Sequence, residues 1–343
     1  MSNPPSKSVT LEDVAKAAGV HRRTAGDALQ GTGRVALATR EKVRRIAREL
    51  QYEPNLVARA LVTGKTGRIS VLVGSLNELY NVLVVQHLSH ALTQNGYEAV
   101  IIQAHDYMPS AQTLRSSFSD GMIVVGMHFV DRGVGLTGVT PGRSGKTILP
   151  FVVIDSQRPD YIDHISFDLG PATKEVLHSM LASGRKRIAY VNKQHLEPDA
   201  QEVRYRAYMD LMREAGIEPE IIVADEILTS EERIEHLKNY FQQHGAPGAI
   251  FCHNDQIAGF AYRALRSLGH EVPKDTLVAG CDGIDFISYF DTPLSTITVP
   301  WKEVSEMACQ FLKQRIADSS IPVQEHVVEG QILVRESLGV QVC

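Results

Sequence analysis

No stretch of this chain approaches the roughly 20 apolar residues that a membrane-spanning helix needs. Its start, MSNPPSKSV, lacks the apolar core of a secretory leader, so a cytoplasmic location is expected. Cysteine is scarce. Cys252, Cys281, Cys309 and Cys343 are scattered without metal-like pairing, as expected of free thiols in a reducing compartment, with Cys343 exposed and oxidisable at the chain end. His128, His164 and His253 likewise lack ligand spacing, and no metal is expected. The Gly-rich basic stretch RGVGLTGVTPGRSGKT ends like a phosphate loop, but that motif needs Gly where Thr140 stands, so Gly145, Lys146 and Thr147 read as part of an exposed loop. With no nucleophile beside a base either, no catalytic residue, no cofactor and no enzyme activity are expected.

What is present is length, apolar content and an uneven distribution of charge. At 343 residues and 43% apolar content, the chain exceeds one ordinary domain and can form large cores. Residues 1–68 carry 13 Lys plus Arg against 6 Asp plus Glu, a net charge of +7, whereas the remainder carries −12. A basic head on an acidic body suits a polyanion-binding module. Phosphate neutralisation would give it salt-dependent affinity, and the body would resist indiscriminate sticking.

The head has a matching pattern. In VTLEDVAKAAGVHRRTAGDALQG, Leu11, Val14, Ala15 and Ala18 recur at helical spacing, while Glu12, Asp13 and Lys16 face water. Thr10 with Asp13 three residues on resembles a capping box, and Gly19 supplies a tight turn. A second helix follows. Its Val20, Ala25, Ala28 and Leu29 can pack inward, leaving His21, Arg22, Arg23, Thr24 and Asp27 outward. Two short helices about a Gly turn, the second with a polar outer face, describe either an amphipathic pair or a helix-turn-helix that inserts its second helix into the DNA major groove. Between Val35 and Leu50, Val43, Ile46, Ala47 and Leu50 fit a third helix packed behind them, and Tyr52, Pro54 and Asn55 lead into a short helix-like segment and a basic link.

The run TLEDVAKAAGV, Thr24, GRV and TREKVRRIARELQYEPNLVARAL closely resembles the signature of the lactose-repressor/galactose-repressor family of bacterial transcription regulators, without a gap. The resemblance implies DNA contacts from Thr10, His21, Arg22, Arg23, Thr24, Asp27 and Arg34. It also implies a hinge that turns helical on the operator, with Asn55, Ala58 and Arg59 at the minor groove and Leu61 wedged into a central base step. Family members usually carry Ser at the positions of His21 and Gly26, and very often Arg at Asp27. A carboxylate cannot donate to guanine O6/N7, so Asp27 would accept from cytosine N4 or orient Arg23, and an unusual half-site is expected.

From Arg68 onward, strand and helix patterns alternate. ISVLVG, YEAVIIQA, GMIVVGM and FVVID read as strands buried on both faces. After a break come RIAYV, EIIVA, AIFCH and TLVAG, with amphipathic helices between them. Two such α/β units in series imply two doubly wound parallel sheets with a crevice at the strand carboxyl ends. By resemblance, the body has the periplasmic sugar-binding-protein fold and the chain crosses between lobes three times. The expected domains are a DNA-binding head at 1–54, a hinge and linker at 55–67, and a body at 68–343. Lobe 1 spans about 68–164 plus 296–322, and lobe 2 about 165–295 plus 323–343. The connection from 103 to 121 is shorter than the family's usual one.

Polar residues just after strands are the candidate ligand contacts: Asn77, Tyr80, Arg204, Asn254 (followed by Asp255) and Asp282. Asp, Asn and Arg bind vicinal hydroxyls in pairs and an aromatic face completes a sugar site, although Asn254 could equally cap a helix and Tyr80 pack in a core. The resemblance implies effector contacts from Arg204, Asn254 and Asp282, within RYRAY, CHND and AGCDGID. It further implies a homodimer on a pseudopalindromic operator, with ligand closure altering operator affinity by about 1–3 kcal/mol. No leucine heptad follows Val340, so no tetramerising tail is expected. A sugar or sugar derivative is the first expectation for the effector and a purine the second. A transport binding protein and an unliganded DNA-binding protein are the remaining alternatives.

Overall fold

In the computed structural model, the described residues are 9–52, 64–104, 118–126, 149–155, 162–196 and 202–339. The chain divides into two compact units at Thr66/Gly67.

Among its described residues the first unit contains three helices: α1 (Leu11–Ala18), α2 (Arg22–Gln30) and α3 (Leu37–Glu49). The capping box that opens α1 is complete. Thr10 donates its N–H to Asp13 Oδ2 at 2.9 Å, and Thr10 Oγ1 accepts the Asp13 N–H at 3.3 Å. Gly19 ends α1 at φ 65°, a left-handed conformation that favours glycine. Val14, Ala15, Ala18, Ala25, Ala28, Val43, Ile46 and Ala47 form the core. Alanines let three short helices approach closely, and the surrounding Val9, Leu11, Val20, Leu29, Val35, Leu50 and Tyr52 close the edges.

The second unit is built on two six-stranded sheets. In the first, β1 (Arg68–Val73), β2 (Glu98–Gln103), β3 (Gly121–Val125), β4 (Phe151–Ile154), β5 (His164–Asp168) and β11 (Glu325–Glu329) lie in the order β11-β5-β4-β3-β1-β2, all parallel. In the second, β6 (Ile188–Asn192), β7 (Glu220–Val223), β8 (Ala249–Cys252), β9 (Leu277–Cys281), β10 (Ser295–Thr298) and β12 (Gln331–Leu333) lie in the order β12-β10-β9-β8-β6-β7, with only β12 antiparallel. Helices α4 (Leu79–Gln94) and α9 (Trp301–Ala317) pack on the first sheet, and α5 (Gly170–Ala182), α6 (Val203–Ala215), α7 (Ser230–His244) and α8 (Asp255–Ser267) on the second. In the second sheet, wholly buried runs such as Ile188–Val191 and Ala249–Cys252 follow from helix cover on both sheet faces.

The chain crosses between the lobes at 168–170, 298–301 and 329–331, a few residues later than 164/165, 295/296 and 322/323. The cause is strand pairing: β5 and β11 join the first sheet in register from His164↔Glu325 to Asp168↔Glu329, while β10 joins the second. The three crossings meet at Gly330. A Cβ there would stand 3.1 Å from Leu169 Cδ2, 3.2 Å from Ile297 Cγ2 and 3.3 Å from Ala172 Cβ. A Cβ at these distances would crowd all three neighbours, which would have to give way by a few tenths of an ångström. The GRSGKT loop, His128, most of the 103–121 connection and Cys343 lie outside the described residues. Cys252, Cys281 and Cys309 are free and buried, and buried His164 faces the Ile162 carbonyl through Nδ1 at 2.9 Å. Among the described residues, no helix is long and apolar enough to cross a membrane.

Candidate nucleic-acid interface and ligand cleft

The outer face of the head is the first turn of α2. His21 is its N-cap. Its Nδ1 accepts the Arg23 N–H at 3.3 Å, which leaves Nε2 as the ring's remaining polar atom on an exposed side chain. Arg22, Arg23 and Arg34 are exposed, and Thr24 and Asp27 are half-buried. The Asp27 carbonyl accepts the Thr32 N–H at 3.0 Å, and its carboxylate lies against Gly33, where a Cβ would stand 2.9 Å from Oδ2. Asp27 therefore braces the turn after α2, while the His21 cap engages the Arg23 backbone. Thr10 spends its hydroxyl hydrogen on Asp13 Oδ2 at 2.7 Å. Asn55, Ala58, Arg59 and Leu61 lie outside the described residues.

The cleft lies where the strand order of each sheet reverses, at the carboxyl ends of β1, β4, β6, β8 and β9. Arg204, in the first turn of α6, is clamped in a ring of hydrogen bonds. Its Nε donates to Glu202 Oε1 at 2.6 Å, its Nη1 to the His253 carbonyl at 2.8 Å, and its Nη2 faces His253 Nε2 at 3.3 Å. Arg204 can only donate, so His253 accepts at Nε2 and carries its proton on Nδ1. That proton faces the Tyr190 hydroxyl at 3.1 Å, and the hydroxyl donates to Glu202 Oε2 at 3.2 Å. Burial, then Arg204, lowers the His253 basicity well below the usual histidine range, consistent with the neutral ring. For Glu202, burial raises the pKa, but Arg204, His253 and the Tyr205 amide outweigh it and hold the carboxyl at about 2. Burial opposes the charge on Arg204 and Glu202 sustains it.

Asp282 follows β9 at φ 126°, a conformation that side chains rarely adopt. Its N–H donates to the Ile297 carbonyl at 2.7 Å, and its own carbonyl accepts from Trp301 Nε1 at 3.1 Å and Thr298 Oγ1 at 3.2 Å. The side chain is 8% exposed, and Oδ2 has no hydrogen-bond partner among the described residues. Burial, then the neighbouring Asp255, pushes its carboxyl well above the usual range, and Arg204, Asp155 and Glu78 also act on it. Asp255 is wholly buried and anchors the turn after β9 by accepting the Ile284 N–H at 2.7 Å; burial pushes it up to about 6.

From the first lobe, the Tyr80 hydroxyl donates to Asp155 Oδ2 at 3.0 Å and its ring meets Trp301 edge-on at 5.7 Å. Burial raises the Tyr80 pKa well above its ordinary value, and Asp155 and Asp282 both act on it, so Tyr80, Arg204 and Asp282 converge. Tyr80 also packs against the first-lobe core. Asn254 Oδ1 accepts the Ile257 N–H at 2.8 Å, which makes it the N-cap of α8. Exposed Asn77 lies at the rim, its carbonyl accepting from Gln256 at 3.4 Å. Beside it, Lys193 bridges Glu78 and Glu226 at 3.3 Å each, so the lobes touch across the mouth. Glu202, Tyr190, His253, Asp155 and Trp301 escaped the sequence reading. Except for Glu202, which pairs with Arg204 two residues on, they act through partners far away in the chain, and only the strand-end position of His253 and Asp155 hinted at them.

A three-helix head with a polar, basic first turn on α2, joined in one chain to a two-lobed body with a polar interlobe cleft, defines a ligand-controlled type of DNA-binding regulator and not an enzyme. Residues 10–55 match the bacterial regulatory proteins of the lacI family, and residues 177–338 match a periplasmic binding protein-like domain. The chain thus combines a lacI-type DNA-binding domain with a periplasmic binding protein-like domain, and the curated relatives it resembles over nearly its whole length are repressors and regulators of that type. It is 28% identical over 340 residues to the ribose operon repressor of Haemophilus influenzae, covering 96% of this chain and 98% of that protein. It is 27% identical over 352 residues to the transcriptional repressor PurR of Vibrio vulnificus, with the same two coverages. The fold superposes on the lac repressor dimer bound to operator and the anti-inducer ONPF with a TM-score of 0.78 at 22% identity, covering 97% of this chain and 99% of that one.

Proposed function

We propose that this protein is a transcriptional repressor that binds a pseudopalindromic operator as a homodimer and is controlled by a sugar or sugar derivative held between its lobes. The observation that carries the reading is the convergence of Arg204, Asp282 and Tyr80 in the cleft of a chain that also presents His21, Arg22 and Arg23 on α2. A pre-positioned guanidinium, an unsatisfied carboxyl and aromatic faces are the groups that bind vicinal hydroxyls. Arg22 and Arg23 read bases. Thr10, His21, Thr24 and Arg34 position the head, and the 55–67 hinge places Asn55, Ala58, Arg59 and Leu61 at the minor groove. The cleft is completed by Asn77 and the free amide of Asn254. Ligand closure changes hinge spacing and so operator affinity, by about 1–3 kcal/mol. The site of action is the cytoplasmic nucleoid.

A purine is the second reading, favoured by similarity to the transcriptional repressor PurR. Operator footprinting with and without ribose, other sugars and hypoxanthine tests both. Protection of a two-fold site that a sugar shifts supports the first reading, and protection that no sugar alters refutes it.

A further inference from the structure

The charges in the cleft narrow the kind of molecule it can hold, given the reading that an effector binds there. Two cations reach the cleft in the described residues. Arg204 is paired with Glu202 at 2.6 Å and its Nη1 donates to a backbone carbonyl, and Lys193 is shared by Glu78 and Glu226 at 3.3 Å each. The acids show the opposite balance: Asp282 is more than nine-tenths buried with Oδ2 unpartnered, and Asp155 faces the same space through Tyr80. Among the described residues, each of these cations is therefore already paired with a carboxylate, whereas Asp282 Oδ2 has no hydrogen-bond partner.

We propose that the cleft admits an uncharged polyhydroxylated ligand and rejects its phosphorylated or carboxylated counterpart. A hydroxyl can donate to Asp282 and accept from Arg204 without disturbing the Glu202 pair. A phosphate in the same place would be a buried anion facing, among the described residues, only cations that are already paired. If Asp282 is ionised it repels that anion. If it is protonated it supplies one hydrogen bond and no charge. In neither state does Asp282 supply the positive charge that would offset the loss of a phosphate's hydration.

The test uses the full-length protein and isothermal titration with matched pairs: D-ribose and ribose 5-phosphate, D-glucose and glucose 6-phosphate, inosine and inosine monophosphate. The expected result is that an uncharged member binds and its phosphorylated partner binds at least about tenfold more weakly. Equal or tighter binding of the phosphorylated member overturns the proposal. Binding of inosine but not the monophosphate, with the free sugars silent, removes the sugar reading and supports the charge rule. Silence of every pair overturns both. Asp282→Asn keeps the shape and removes the acid. It is expected to weaken the uncharged ligand and narrow the discrimination, and an unchanged ratio would overturn the assignment of that ratio to Asp282.

Discussion

Replacing Glu202 by Gln should destabilise the body by about 3–5 kcal/mol at pH 7, because the substitution leaves the buried Arg204 without its counter-ion. Three further contacts rest on this carboxylate: the Arg204 N–H at 3.2 Å, the Tyr205 N–H at 2.7 Å and the Tyr190 hydroxyl at 3.2 Å. A glutamine amide has one accepting oxygen for four donors. The pH dependence gives an independent magnitude. The Glu202 carboxyl is lowered from 4.5 to about 2 on folding, a stabilisation on the order of 3 kcal/mol. Since the folded value is the depressed one, that contribution is complete above about pH 5 and lost as pH falls toward 2. Urea unfolding of wild type and Glu202→Gln at pH 7, 5, 4 and 3 should show a gap that narrows with acidification. A gap under 1 kcal/mol at pH 7, or one that does not narrow, would refute the ring of charge-assisted bonds around Arg204.

Gly26→Ala should stabilise the head by about 0.5–1 kcal/mol in thermal melts, because it removes a helix-interior glycine and the new Cβ would meet Leu11 Cδ2 at an ordinary 3.6 Å. Gly330→Val should destabilise the body by about 1–3 kcal/mol in urea, because the crossings at Leu169 and Ile297 leave no room for a side chain. His21→Ala should cost about 1 kcal/mol of head stability through the lost cap, read by thermal melting, and His21→Asn should restore most of it. Asp27→Arg should change base preference in a binding-site selection; unchanged preference would confine Asp27 to bracing the Gly33 turn.

The head was legible because its signals are local: Thr10, Asp13 and Gly19 define α1 within ten residues, and the alanines of α2 mark its inner face. The Val- and Ile-rich strands were legible for the same reason. The strands that set the crossings were not. HISFD, STIT and EHVVE mix polar with apolar residues, and β11 is largely exposed at a sheet edge, so no apolar run announces it. In the cleft, strand-end position singled out Arg204 and Asp282, but the ring that holds Arg204 draws Tyr190 from β6, Glu202 from the N-cap of α6 and His253 from the end of β8. Tyr190 and His253 become neighbours of Arg204 and Glu202 only through the sheet order. Asn254 shows the converse, because its strand-end position is explained by capping α8.

Trp301 is the sole tryptophan of the chain, and it stands at a lobe crossing, where its indole N–H reaches the Asp282 carbonyl and its ring meets Tyr80 and Phe167. Indole emission depends on hydrogen bonding and polarity around the ring, so the protein carries one optical gauge at the joint between its lobes. Changes in its intrinsic fluorescence would arise from that one place, and lobe movement could be followed in the unlabelled protein.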